Sequence, residues 1–277
     1  MLAARYDALL FDLDGVLFRG EEPVANAPET VGALREMELR MVFVTNNSSR
    51  TPKQVAAKLT RLGIPADPSE VVTSALATAD LLAERGVQSA YAIGGEGVIR
   101  ALENAGISVV DGEPARVSHV VVGIDEDLTY AKLRTACVLV QAGAHLVATN
   151  ADRTFPSSGG QLWPGAGALV AAIATATGVE AEVVGKPFPP LFESALRRSG
   201  GAKPLAIGDR LDTDIAGADA LGWDSLLVLT GVSDRRELEA SPFRPTYVAP
   251  DLTVLLRDDV APEARDPEGR EAGESQK

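Results

Sequence analysis

An α/β fold built on a parallel sheet is predicted by three features of this 277-residue sequence. Short apolar runs, often β-branched, alternate with amphipathic stretches of helical period from end to end. The apolar runs are continuous, as strands covered on both faces should be. A middle block then repeats the same rhythm on its own.

In chain order, YDALLF (6–11), RMVFV (40–44), AEVVG (181–185), PLAIG (204–208) and DSLLVL (224–229) read as buried strands of a core. Between them, PETVGALREM, TPKQVAAKLTRLG and PLFESALRRSG read as helices, the last two closed by glycine. The middle block runs SAYAIG, GVIRALENAG, ISVV, HVVVGI, TYAKLRTACVLVQAG, HLVATN and GALVAAIATATG. It is long enough to be a second α/β domain over 86–180, inserted into a core made of 1–85 and 181–258. The end of the chain is rich in charge and proline and lacks apolar periodicity, which predicts a disordered tail over 259–277. No repeat of solenoid period is present.

Composition excludes several function classes. A formal net charge of -13, from 39 acidic and 26 basic residues, argues against a nucleic-acid partner, which needs clustered Lys and Arg. The single cysteine, Cys137, excludes an internal disulfide, and His119 and His145 are too few for a Cys/His zinc cluster. No apolar run approaches the roughly 20 residues needed to span a bilayer, and the opening MLAARYDALLFDLDG turns acidic too early for a signal peptide. The expectation is a cytoplasmic protein without a membrane partner.

The polar residues fall where a parallel sheet would gather them. Asp12 follows ALLF, Thr45 follows MVFV, Lys186 follows EVVG, and Asp209 follows LAIG. Ligands of open parallel sheets bind outside the carboxyl ends of the strands, so these residues should converge on one crevice with Asp14 and Asp214. Several carboxylates that close together would raise one another's proton affinities. A hard cation relieves this, and oxygen donors without thiol or imidazole favour magnesium. Asp12 and Asp14 flank one residue, and Gly15 then turns the chain out of the strand. One carboxylate could attack a phosphoryl group while the other handles protons, with Lys186 and Thr45 holding the phosphoryl oxygens.

The motifs DLDGVL (12–17), VTNNSS (44–49), GKP (185–187) and GDRLDTD (208–214) resemble, in order, the four signatures of the haloacid dehalogenase-like phosphatase superfamily. The large insert, with ATNADRTFP (148–156) and WPGAGALVAAI (163–173), is similar to the branch holding NagD, p-nitrophenyl phosphatases and phosphoglycolate phosphatases. The resemblance implies a Rossmann-like, doubly wound core with an inserted α/β cap. It implies hydrolysis of small phosphate monoesters with magnesium, through a phosphorylated aspartate. Asp12 would be the nucleophile and Asp14 the acid and base, its acidic character pointing to phosphate transfer. Thr45 and Lys186 would bind phosphate. Asp209 would join Asp12 and the backbone carbonyl of Asp14 on the metal, with Asp214 supporting Lys186 or the metal shell. Gly15, Asn46 and Asn47 would lie beside the phosphate.

Other signals weigh less. Each strand-end aspartate alone would be read as a cap or turn residue. The glycines of AIGGEGVIRALENAG depart from GxGxxG and read as tight-turn packing. Asn46 and Asn47 begin formal glycosylation sequons without meaning in a cytoplasmic protein. Cys137 reads as a buried structural thiol, and His119 and His145 as exposed or satisfied side chains. Asn150, Asp152 and the loop RTFPSSGGQLW either read the leaving group or join two elements. Transfer to an organic acceptor, or phosphate binding without turnover, are the alternatives on the same core. The partner expected is a small phosphorylated metabolite, and a cap surface could pair two chains as a homodimer.

Overall fold

The structure is a computed structural model that describes residues 1–113, 116–156 and 161–263. The chain opens with strand β1 (Ala8–Phe11), a short antiparallel hairpin of β2 (Phe18–Arg19) and β3 (Glu22–Pro23), helix α1 (Ala27–Glu36), β4 (Met41–Thr45), α2 (Pro52–Arg61), β5 (Val71–Thr73) and α3 (Ser74–Glu84). It then builds a second sheet from β6 (Ser89–Ile93), α4 (Glu96–Asn104), β7 (Ser108–Val110), β8 (His119–Val122), α5 (Tyr130–Gln141) and β9 (His145–Ala148). A hairpin of β10 (Thr154–Pro156) and β11 (Leu162–Pro164), α6 (Ala166–Thr177) and β12 (Glu182–Val183) follow. The return passes through α7 (Pro189–Ser199), β13 (Pro204–Gly208), α8 (Ala216–Ala220), β14 (Asp224–Val228), α9 (Arg235–Ala240) and β15 (Tyr247–Ala249).

The first sheet has six strands in the order β15-β14-β13-β1-β4-β5, every neighbouring pair parallel. The second has five, β12-β9-β8-β6-β7, also parallel throughout. The predicted α/β class and Rossmann-like parallel sheet are both present.

Alternation within β1 explains the layering. Leu9 and Phe11 enter the cluster containing Val31 and Leu34 of α1 and Val55 and Leu59 of α2. Ala8 and Leu10 point the other way, into the cluster of α3 and α7 residues such as Leu82, Leu191 and Phe192. Every residue of β1, β4 and β13 is buried, which is why these runs lack polar alternation. Burying one Leu or Phe of this kind contributes about 1.5–3 kcal/mol.

Helix limits follow local chemistry. Before α2, the Thr51 hydroxyl accepts the Gln54 N–H and the Gln54 side chain accepts the Thr51 N–H, with Pro52 at the first helical position. Gly63 follows its end at φ +81°, and Gly200 ends α7 at φ +65°.

Three expectations need correction. AEVVG (181–185) is not a core strand: Glu182 and Val183 pair with Val147 and Ala148 on the edge of the second sheet. The apolar run satisfied either sheet, and only pairing separates them. The core instead gains β5 and β15, three-residue strands too short to carry a periodic signal. Within the predicted tail, Val260 packs against the first cluster, its carbonyl accepts from Arg5 at 2.9 Å, and the Glu263 N–H donates to Thr246 O at 2.8 Å. Residues 264–277 of that tail, and 157–160 of the loop RTFPSSGGQLW, lie outside the described residues. Among the described residues no helix is long and apolar enough to cross a membrane.

Candidate active site

Adjacent strands of the first sheet deliver the site. Past the end of β1, the Asp12 N–H still donates to Ile207 O at 2.8 Å, so Asp12 leaves the sheet in register with β13. The chain then turns: Leu17 N–H returns to Leu13 O, and Gly15, at φ +85°, donates to Phe18 O. A Cβ on Gly15 would stand 2.4 Å from Asp209 Oδ2, so glycine is required both by the turn and by the neighbouring carboxylate. Asp209 follows β13, Thr45 ends β4, and Asp214 rides on a wide helical turn, Leu211–Ile215. Lys186 arrives from the loop after β12.

Lys186 is the centre of the cluster. Its Nζ donates to Asp12 Oδ1 at 2.5 Å and to Asp214 Oδ1 at 2.7 Å, and only 4% of the residue is exposed. Asp214 Oδ2 also accepts the Arg210 N–H at 3.3 Å. Burial disfavours the Lys186 ammonium, but Asp12 and Asp214 outweigh it and hold the pKa above the usual lysine range. Burial pushes the Asp12 carboxyl well up; Lys186 pulls it back, and Asp214 and Asp209 push it further. Asp209 is pushed up to about 6, first by burial and then by Asp214, against the Val232 N–H that bonds its Oδ2 at 2.7 Å. Asp14 reaches solvent at the mouth, yet the protein around it raises its carboxyl, with Lys58 and Lys186 pulling the other way.

Oxygens of Asp12, Asp209 and Asp214 lie within 4.8 Å of one another. With one ammonium among three carboxylates, the group carries two excess negative charges when ionised. Asp209 Oδ1 is buried and has no hydrogen-bond partner. An orphaned buried carboxylate oxygen facing two others fits a hard divalent cation, which oxygen donors prefer. Asp14 contributes no side-chain oxygen to this cluster.

The remaining predicted residues sit around Lys186 and Thr45. Thr45 is buried and its Oγ1 accepts the Asn47 N–H at 3.1 Å, leaving the hydroxyl proton free to donate. Asn47 Oδ1 is occupied by the Ser49 N–H and hydroxyl. Asn46 Oδ1 accepts the Lys186 N–H, while Asn46 Nδ2 donates to Lys186 O and to the Asp152 carboxylate. Asn150 is buried; its amide donates to Asn46 O and its Oδ1 accepts the Asp152 N–H. Asp152 is half-buried, and burial raises its carboxyl despite the Asn46 bond. Cys137 is half-buried, its thiol pushed up by burial, and His119 stacks on His145 with centroids 5.2 Å apart at the opposite end of the second sheet.

Sequence reasoning missed the loop after β14. Thr230 Oγ1 donates to Gly15 O at 2.6 Å, Val232 holds Asp209, and a Cβ on Gly231 would fall 1.8 Å from Asp209 Oδ2. The strand DSLLVL is legible in the sequence, and the same strand-end rule applied to TGV locates this loop. Lys58, on α2 with its ammonium 3.9 Å over the Phe18 ring, carried no such signal.

Known proteins resemble this chain over most of its length. A family model described as haloacid dehalogenase-like hydrolase matches residues 9–108, and a second, HAD-hydrolase-like, matches 183–255. The acid sugar phosphatase of Staphylococcus epidermidis is 39% identical over 256 residues, covering 91% of this chain and 98% of that protein. Among solved structures, the glycerol phosphate phosphatase of Mycobacterium tuberculosis in complex with magnesium is 41% identical with a TM-score of 0.87, covering 92% of this chain and 77% of that one. NagD of Escherichia coli is 31% identical with a TM-score of 0.83, covering 89% and 97%.

Proposed function

The chain belongs to the haloacid dehalogenase-like hydrolases and is a phosphatase, and from that premise we propose a magnesium-dependent hydrolysis of small phosphate monoesters through an aspartyl phosphate. One observation carries the reading: Lys186 sits between Asp12 and Asp214 beside the unpartnered Oδ1 of Asp209. Phosphate binding without turnover would have no need of Asp14 as an acid and base.

In the first step an Asp12 oxygen attacks phosphorus, the bond to the leaving oxygen breaks, and Asp14 gives that oxygen its proton. In the second, Asp14 takes a proton from water as the water oxygen attacks phosphorus, releasing inorganic phosphate and restoring the Asp12 carboxylate. Lys186 and the Thr45 hydroxyl hold phosphoryl oxygens throughout and offset the charge that builds on them. Burial raises the Asp14 carboxyl, which favours the protonated form that the first step needs. Magnesium, held by Asp12, Asp209 and the Asp14 carbonyl with Asp214 nearby, would supply positive charge to the transferred group.

The second sheet acts as a cap over the crevice, excluding water and admitting small leaving groups. Names of the relatives support sugar phosphates and glycerol phosphate as the substrate class. The test is p-nitrophenol release from p-nitrophenyl phosphate, followed by a ranked screen of phosphate esters. Chelation of magnesium should stop turnover, and Asp12→Asn should lower it by about 10⁴-fold or more. Turnover that survives either change would overturn the mechanism.

A further inference from the structure

We propose that the Asn46 side chain is a positioning residue that sets the main chain of Lys186, and through it the ammonium that faces Asp12. The amide reads Lys186 at two points: its Oδ1 accepts the Lys186 N–H at 2.7 Å and its Nδ2 donates to the Lys186 carbonyl at 3.2 Å. A side chain here does what a neighbouring strand would do, for a residue that no strand pairs.

The second Nδ2 proton goes to Asp152, at 3.2 Å from Oδ2 and 3.3 Å from Oδ1. Both donors of the amide and one acceptor site are therefore spent, and only this orientation of the amide satisfies all three partners. The main chain of Asn46 is braced as well, since its carbonyl accepts the Ser74 hydroxyl at 2.6 Å and the Asn150 amide at 2.8 Å. Asn46 so joins the end of β4, the start of α3, the loop after β9 and the segment carrying Lys186.

Gly185 supplies an independent sign of the same arrangement. A Cβ at that position would fall 2.6 Å from Asn46 Oδ1 and 2.6 Å from Thr149 O, so the close approach of the amide to Lys186 depends on a glycine immediately before it. Movement of the main chain passes directly to an ammonium held on two carboxylates, and misplacements near 1 Å at a reacting centre cost about 100-fold.

Asn46→Asp is the sharpest variant because it keeps the shape and the acceptor for the Lys186 N–H but removes both donors. It should lower kcat about 10- to 100-fold. The loss should be equal for p-nitrophenyl phosphate and glycerol phosphate, since the amide has no donor left for a leaving group. In a Lys186→Met background Asn46→Ala should cost less than about threefold, because its effect acts through a group already removed. Full additivity there, or a loss that depends on the leaving group, would overturn the proposal.

This kinetic arm rests on the phosphatase reading; a second arm does not. Acetylation of Lys186 by acetic anhydride, followed by peptide mass spectrometry on the intact folded protein, should be slow in the parent and faster in Asn46→Asp and in Gly185→Ala. Unchanged protection in both variants would overturn the proposal. An inactive parent whose Lys186 loses protection in the variants would reject the phosphatase reading alone.

Discussion

The two parallel sheets end differently. Three strands of the first sheet lead into Asp12, Thr45 and Asp209, and the Asp12 and Asp209 carboxylates meet Asp214 there in one acidic cluster. Those of the second finish on Gly94, Gly123 and Thr149, and these ends are packed against the segment 48–50 that follows Thr45. The Ile124 N–H donates to Ser48 Oγ, the Gly97 N–H to Ser49 O, and a Cβ on Gly123 would meet Ser48 Oγ at 2.6 Å. Parallel topology puts helix starts and loop backbone at the carboxyl ends of both sheets. It offers a reaction site where those ends carry charged side chains. Where they carry glycine, the same geometry makes a joint.

Gly231→Ala and Gly123→Ala form the strongest test of this contrast. The first drives a methyl into Asp209 and should lower kcat/KM by about 100-fold or more by misplacing a carboxylate at the reacting centre, measured with p-nitrophenyl phosphate. The second should lower stability by about 1–3 kcal/mol in denaturant unfolding through overpacking of the joint, with a much smaller change in kcat. Equal effects of the two on catalysis would break the distinction.

Magnesium should sharpen it next. Burial, and then Asp214, push the Asp209 carboxyl from 3.8 up to about 6 in the folded protein. Between these values the folded state binds more protons than the unfolded state, so the Asp209 contribution to stability falls as pH rises through this window. Above it, the ionised cluster gains most from a cation. The rise in Tm on adding magnesium should therefore be larger at pH 7.5 than at pH 5, and a pH-independent rise would contradict this assignment.

The smallest effect is expected far from the crevice. Arg85, at the end of α3, pairs with Glu182 of β12 through two bonds of 2.7 Å, but both side chains are 44% exposed. Arg85→Ala should change stability by at most about 1 kcal/mol in denaturant unfolding, with activity unchanged.

Legibility followed run length and chain order. Long buried runs such as MVFV and PLAIG were readable because a strand covered on both faces must be apolar throughout. Three-residue strands β5 and β15 were not, since they hold too few residues for a pattern. Asp12, Thr45 and Asp209 are legible as strand-end residues; Lys186 is read the same way after EVVG, although that run pairs on the second sheet and not in the core. The strand-end rule locates Thr230, Gly231 and Val232 after DSLLVL, but their roles, a hydroxyl on the Gly15 carbonyl, a missing Cβ and a backbone N–H, appear only in the fold. Asn46 is expected beside the phosphate, and Asn150 and Asp152 either at the leaving group or in a joining loop; the Asn46 amide binds Asp152 and the Lys186 main chain, and the Asn150 side chain binds the main chains of Asn46 and Asp152.

By itself the sequence determined the α/β class, the rhythm of two parallel sheets and the acidic set around one lysine, because these rest on residue type and local period. Tertiary structure decided which sheet takes Glu182 and Val183, that Asp209 is left with an unpartnered oxygen, and that Asn46 grips Lys186 140 positions away. Pairing partners and close approaches are properties of the assembled chain, and no local pattern encodes a distance between segments that meet only when folded.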